Sequence, residues 1–514
     1  MATRVTQPIT IQVPHSHNRR VMLGAALFFL TAPILILMMQ VPGIADVLSI
    51  QPHVYGLIFE LTAAGLGVWL VILMLWWARR RGKFDLFEPP VWLSLNMYLQ
   101  VVLNVWLLQR DKYAYIPWVR ENYATVIPAA VVLFGVALTI LWGAYAWAYN
   151  RLSNGPVKLA ASRMRLQAVM LIWVMGWIVG IISVVIGTSS YLGAAGSVWQ
   201  NYIAFVAIIT DAATAALVIY QFRRPSTIGW VWLGVVVLTD IGLPLVAGSK
   251  SFALSLLWLA IYIYYATNRL PKRWLAVGFV VVVLFVPVVN QFRVILWKVG
   301  ESRAASFSGR LESLADAMSA TLSQPVSSAF EDTRQTFEHR QGNMLDLTAS
   351  VLYLTPSQLP YVGSEMAQYF FQQIIPRVIW LDKPTARPQI FYITSTYGSA
   401  PSEYAFSEIG LAADSYRAGG LPTVAIWFVF MGLFSAWLYH HGIVRGGTAG
   451  IVFYVTVLVH IIRYEADITT TLLYLIEFVP LIWLIVTRIM FTPETTEQPK
   501  LASSAQVARI VTLE

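Results

Sequence analysis

The chain reads as an all-α polytopic membrane protein of about twelve transmembrane helices with one large helical loop on the outer face. Two observations predict this. Hydrophobic residues fill 57% of the 514 positions and charged residues only 12%, with mean hydropathy +0.64, more apolar than a soluble core of this size requires. Apolar runs of the roughly 20 residues that cross a bilayer begin near Val21, Gly56, Pro90, Thr125, Leu166, Trp199, Ile228, Phe252, Trp274, Thr423, Thr448 and Ile468. The 20 tryptophans and 24 tyrosines suit rings that settle at headgroup level.

Taken in order, the first run follows Arg19-Arg20, contains Pro33 and precedes eleven more, which reads as an uncleaved signal anchor rather than a removable leader. Residues 1–20 are then an N-terminal tail, 21–289 carry nine spans, 290–422 form the outer loop, 423–488 carry three spans, and 489–514 are a short polar tail. With both tails cytoplasmic, the inner segments hold twenty Lys and Arg, among them Arg79-Arg80-Arg81, Lys83, Arg151, Arg163, Arg165, Arg223-Arg224, Arg445 and Arg488. The short outer loops hold five: Arg110, Lys112, Arg120, Lys250 and Arg463. Long loops translocate regardless of charge, so 290–422 is left out, and twenty against five sets the orientation. The net charge of +9 is therefore topological, set beside anionic headgroups, and does not indicate nucleic acid. Zero cysteines exclude disulfides, thiolate metal sites and a cysteine nucleophile.

The outer loop is the expected working region. It holds ten of the fifteen outward cations: Arg293, Lys298, Arg303, Arg310, Arg334, Arg340, Arg377, Lys383, Arg387 and Arg417, with a similar number of acids. Residues 309–324 pattern as an amphipathic helix. Residues 365–375, with Tyr369, Phe370, Phe371, Ile374 and Ile375 beside Gln368, Gln372 and Gln373, pattern as an interfacial helix that Pro376 stops.

A set of motifs in this half of the chain then stands out: Thr355-Pro356, Tyr361-Val362-Gly363, Pro376-Arg377 through Trp380, and Asp382-Lys383-Pro384. Further on comes Asp414-Ser415-Tyr416-Arg417-Ala418-Gly419-Gly420, with Gly248-Ser249-Lys250 in an upstream turn and Arg463-Tyr464-Glu465 at a span end. Together these resemble bacterial oligosaccharide repeat-unit polymerases, the Wzy-type O-antigen and exopolysaccharide polymerases related to O-antigen ligases. Asp414 stands where that family more often carries Glu. The resemblance covers the second half of the chain and implies a GT-C-like glycosyltransferase architecture in the bacterial inner membrane, with the loop in the periplasm. It implies an undecaprenyl-pyrophosphate-linked oligosaccharide as substrate, no cofactor, and a repeat-unit flippase and a chain-length regulator as partners beside the membrane lipids.

Such a transfer makes two chemical demands. A lipid pyrophosphate leaving group needs fixed cations, Arg above all for its bidentate geometry; Lys250, Arg293, Arg377, Lys383, Arg387, Arg417 and Arg463 are the candidates. A sugar hydroxyl needs a base within hydrogen-bond reach, and Asp414, Glu408 and Glu403 lie in the last stretch before the membrane. Competing readings stand beside these: Arg377 capping the interfacial helix, Lys250 as a solvated turn residue, Arg463 paired with Glu465, Asp414 orienting Arg417 or Tyr416, and His339 in solvent. No Asp-x-Asp, Walker loop or Gly-x-Gly-x-x-Gly occurs, so no metal is expected and the activated substrate linkage is the expected energy source.

Asp211, Asp240 and Glu477 fall inside expected spans, where an ionisable group is a functional hypothesis by default. They support a rival class, a proton-coupled transporter or lipid-linked oligosaccharide flippase. The plainer alternative is that they are protonated or paired with neighbours such as His460, Asn104 or tyrosines. A ligase with the same fold is a third reading.

Overall fold

The computed structural model describes residues 19–39, 56–106, 123–153, 162–185, 200–299, 307–325, 344–363, 409–460 and 467–493, with a few single positions between them. Most of these residues are helical; turns and coil join the helices, and residues 162–164 pair with 491–493 in one short antiparallel ladder. The elements are α1 (Arg19–Phe29), α2 (Thr31–Met39), α3 (Gly56–Arg81), α4 (Pro89–Trp106), α5 (Tyr123–Ser153), α6 (Leu166–Val185), α7 (Gln200–Arg223) and α8 (Thr227–Val246). There follow α9 (Ser251–Thr267), α10 (Lys272–Val299), α11 (Phe307–Leu322), α12 (Met344–Leu354), α13 (Leu411–Tyr439), α14 (Gly447–His460) and α15 (Ile468–Met490). Among the described residues, eight helices are long and apolar enough to cross a membrane; α9, α12 and α14 are apolar but shorter. The protein is a predominantly helical polytopic membrane protein.

The outward faces fit that reading. Ile228, Leu238 and Ile426 are 74%, 72% and 71% exposed, a burden water would not tolerate and lipid tails cover. Inside, one core runs through α3, α4, α5, α13 and α14. α13 lies tightly on α5 because Gly432 permits it: a Cβ there would sit 2.7 Å from the Leu141 carbonyl oxygen. Small residues at crossings are how membrane helices gain packing when lipid removes the hydrophobic drive.

The cation-rich segments that the sequence assigns to one face do meet at one end of the bundle. Arg81 reaches Tyr149 (2.8 Å), Arg223 donates to Thr448 Oγ1 (3.1 Å), and Ser162–Met164 pairs antiparallel with Phe491–Pro493. The opposite end, the loop end, carries Lys250, Asp414 and Asp467. The expected 309–324 helix is α11, which packs Leu314 and Ala317 on Val288, Phe292 and Leu296 of α10. α12 differs from expectation: placed in a polar loop by sequence, it is buried along nearly its whole length, and Gln100 of α4 donates to Met344 (3.4 Å).

Candidate functional site

At the loop end, two segments far apart in sequence form one packed unit. Gly410, at φ +81, starts α13, which bends at Gly419-Gly420 before entering the core. Gly420 sits at φ +74, ψ −156, a region essentially reserved for glycine, and a Cβ there would lie 2.9 Å from the Tyr361 hydroxyl. Val362 N–H donates to the Arg417 carbonyl (3.2 Å), a Cβ on Gly363 would meet the Ala418 carbonyl at 2.7 Å, and the Tyr361 and Tyr416 rings meet edge to face at 6.2 Å. The expected domain boundary at 422/423 lies inside α13, two residues past this bend.

Asp414 holds this unit to the next span. Its Oδ1 accepts from Arg417 Nε (3.0 Å) and Nη2 (2.7 Å), and its Oδ2 accepts from the Ile468 backbone N–H (2.9 Å). The Asp414 and Arg417 side chains are 1% and 5% exposed. Beside it, Asp467 caps α15, accepting from Thr470 N–H (2.7 Å) and Thr470 Oγ1 (2.8 Å). Burial, and then the nearby Asp414 charge, push the Asp467 carboxyl up to about 6. A carboxylate with both oxygens engaged in this way is an anchor; of the two roles the sequence allowed Asp414, the geometry carries the orienting one.

A second cationic group lies at the same end. Gly248, at φ +71, turns the chain from α8 into α9, and Lys250 occupies the position before the α9 helix. Arg293 of α10 donates from Nε to the Gly248 carbonyl (2.7 Å), so Lys250 and Arg293 are brought to one turn. Arg377, Lys383, Arg387, Arg463, Glu403, Glu408 and His339 lie outside the described residues, as does the body of the Pro376 to Pro384 motif. Of the expected 365–375 helix, Glu365, Met366, Gln368 and Phe371 are helical, and Phe371 is exposed.

Below the Lys250 turn, Asp211 of α7, Asp240 of α8, and Ser255, Trp258 and Tyr262 of α9 line a small cavity. His460 Nε2 lies 2.7 Å from Asp211 Oδ2, the pairing the sequence allowed; Asp240 accepts instead from Thr214 Oγ1 (2.9 Å). Among the described residues, no three His, Asp or Glu side chains are grouped as metal ligands.

Sequence reasoning missed the most elaborate polar network, at the opposite end. Glu88, 1% exposed, accepts from Arg81 Nη1 (2.5 Å), Trp77 Nε1 (3.0 Å) and Tyr145. Asp85 accepts from Tyr265 (3.0 Å), Tyr439 (2.9 Å) and the Phe87 N–H (3.1 Å), while Tyr454 bonds the Phe87 carbonyl (2.5 Å). Burial and the Glu88 charge raise Asp85 above the usual carboxylate range, and burial with the Arg81 charge lowers Lys83. The Arg81 guanidinium lies 4.2 Å from the Tyr149 ring centre. The clue was two acids within eight residues of an Arg run in so apolar a chain. The network ties α3, α4, α5, α9, α13 and α14 together, with its carboxylates occupied.

No curated protein and no solved structure matches the chain. A family profile described as a domain of unknown function (DUF8712) matches residues 161–449, from the short ladder through the Lys250 turn and the Asp414 to Gly420 bend to the start of α14. That is more than half of the sequence, and the chain belongs to the DUF8712 family.

Proposed function

We propose that this protein polymerises undecaprenyl-pyrophosphate-linked oligosaccharide repeat units into O-antigen or exopolysaccharide at the periplasmic face of the bacterial inner membrane. In this reading it is a metal-independent glycosyltransferase with twelve spans, a GT-C-like architecture and both termini cytoplasmic. The observation that carries it is the packing of Tyr361-Val362-Gly363 on Tyr416 to Gly420. Two of the segments by which the chain resembles repeat-unit polymerases pack as one structural unit.

The acceptor hydroxyl attacks the anomeric carbon of the donor glycan, and the bond from that carbon to the pyrophosphate oxygen breaks. Lys250 and Arg293, at one turn, act with Arg377, Lys383, Arg387 and Arg463 to neutralise the departing pyrophosphate. The hydroxyl proton passes to Glu408 or Glu403, since the Asp414 oxygens are taken up by Arg417 and Ile468. Asp414 and Arg417 are positioning residues in this scheme.

The test is Arg377→Ala against Arg377→Lys in cells that lack the native gene. Loss of polymer with single repeat units accumulating, and poor rescue by lysine because bidentate contact is lost, supports the reading; full polymer from the alanine variant refutes it. The Asp211–His460 pair beside Asp240 favours one second reading, a proton-coupled transporter or flippase. In that case Asp211→Asn and Asp240→Asn, rather than loop variants, abolish function. A ligase would place the same cations around the same leaving group and differ in its acceptor.

A further inference from the structure

On the membrane-facing side of the seam between α3 and α5 lies a recess of about 450 Å³, walled by Leu66, Val132, Val136 and Ile140 and deepened at Gly65, where an added side-chain carbon would meet nothing within 4 Å. Its three polar side chains are already paired within the chain. Trp69 Nε1 donates to Thr139 Oγ1 (2.8 Å), Thr139 to the Gly135 carbonyl (2.6 Å) and Thr62 to the Ile58 carbonyl (2.9 Å). The recess therefore offers a guest hydrocarbon contact and no hydrogen bond. Arg80 and Arg151 each stand eleven residues beyond a residue of the recess, Trp69 and Ile140 respectively. Eleven residues are about three helical turns, so both arginines lie on the faces that carry the recess and about 16 Å from it, roughly the hydrocarbon depth of one leaflet.

The two helices meet at the arginine level through Arg81 Nη2 and the Tyr149 hydroxyl (2.8 Å). Arg81 is buried on Glu88, whereas Arg80 and Arg151 are exposed and, among the described residues, pair with no carboxylate. Each lies over an exposed indole instead, Arg80 5.7 Å from the Trp76 ring centre and Arg151 4.7 Å from that of Trp147. Indoles settle at headgroup level. Between arginines and recess the seam is open at Gly143, which is exposed and where a side chain would also meet nothing within 4 Å.

We propose that this seam binds one anionic phospholipid of the leaflet at the arginine end, with its phosphate between Arg80 and Arg151 and one hydrocarbon chain laid past Gly143 so that its end enters the recess. Charge complementarity selects the headgroup. Two exposed guanidiniums, with the neighbouring Asp85 and Glu88 both buried, favour phosphate, which Arg binds bidentately. The spacing selects the chain, because a lipid tail of one leaflet's depth covers the distance from the arginines to the rim of the recess at Trp69 and Ile140. A soluble anion would leave the recess unfilled, and a lipid without net charge would leave the guanidiniums without a counter-charge. The site stands apart from the polymerase reading, at the end of the bundle opposite Lys250 and Asp414; in the orientation proposed above, its leaflet is the cytoplasmic one.

The experiment uses the full chain purified in detergent and titrated with phosphatidylglycerol or with phosphatidylcholine of identical chains, binding being read from the thermal unfolding midpoint and from native mass spectrometry. The proposal predicts a saturable rise of the midpoint and a one-lipid adduct with phosphatidylglycerol that phosphatidylcholine does not match. Near an anionic headgroup each arginine contributes about fivefold, so Arg80→Gln with Arg151→Gln weakens phosphatidylglycerol binding roughly thirtyfold. Gly143→Leu keeps both arginines, obstructs the chain and also weakens it. Arg163→Gln with Arg165→Gln, on the short ladder and exposed or half-exposed to the same headgroups, leaves it unchanged. Equal binding of the two lipids, wild-type binding by either seam variant, or an equal loss from the ladder arginines overturns the proposal. So does a dimer of the purified chain that Gly143→Leu abolishes, since the recess would then belong to a second copy. All these substitutions fall on exposed positions, so the variants keep the fold, and an unchanged midpoint without lipid checks it.

Discussion

Replacing Asp414 by asparagine separates an anchor from a base. The carboxylate accepts on both sides, from Arg417 at Oδ1 and from Ile468 N–H at Oδ2. An amide of the same shape has one acceptor oxygen and one donor nitrogen, so whichever way it turns, an N–H group faces another N–H group. If the oxygen faces Arg417, the Ile468 N–H is orphaned; if it faces Ile468, two Arg417 bonds are lost. In both cases the Arg417 charge remains at 4% exposure without its carboxylate. Removing one partner of a buried pair costs about 3–5 kcal/mol, at the severe end for a single substitution. The assay is the thermal unfolding midpoint of the detergent-purified protein. Asp414→Asn lowers it by several degrees, and Asp414→Leu with Arg417→Met recovers most of the loss, because a buried pair is replaceable by apolar residues of similar volume. An unchanged midpoint, with only activity lost, would refute the anchor and return Asp414 to the role of base.

Three further outcomes are expected. Gly420→Ala forces a side chain into φ +74 and against the Tyr361 hydroxyl, at a cost of order 1–3 kcal/mol, and an unfolding midpoint equal to wild type would contradict the bend. Asp467 binds its proton more tightly folded, at about 6 against an ordinary 3.8, so its contribution to stability is greatest in acid and is lost as pH rises from about 4 to about 6; Asp467→Asn removes that slope in a pH series of unfolding curves, and an unaltered slope counts against it. In this cysteine-free chain, cysteines at Ser308 and Ser402 are labelled from outside by an impermeant thiol reagent, while those at Ser153 and Ser503 require lysis; the reverse pattern overturns the orientation.

The helices were legible because membrane spans announce themselves by apolar length, and α11 because its apolar residues recur at helical spacing to meet Val288 and Phe292. α12 was not legible: Asp346, Thr348 and Ser350 interrupt it in sequence yet are buried in the fold, and no local pattern distinguishes a polar residue satisfied inside from one in water. The Asp414–Arg417 pair could be read from its i,i+3 spacing, but the Ile468 N–H that occupies the second oxygen lies 54 residues away, beyond any local pattern. Asp85 and Glu88 escaped for a similar reason. Beside Arg79 to Lys83 they pattern as solvated loop charges, and only the convergence of Tyr145, Tyr265 and Tyr439 from three distant helices makes them a buried hub. The paired Asp211 and His460 come from spans nearly the whole family match apart, where sequence shows two lone ionisable groups.

The central claim is that the chain itself joins lipid-linked repeat units. The most direct measurement is incubation of the purified protein in detergent with undecaprenyl-pyrophosphate-linked repeat units, with a chelator present and no membrane potential, followed by separation of the products by chain length. The account predicts a ladder of elongated glycans with release of undecaprenyl pyrophosphate. Unchanged single repeat units, together with movement of the same substrate across sealed vesicles containing the protein, would contradict it and assign the chain to transport.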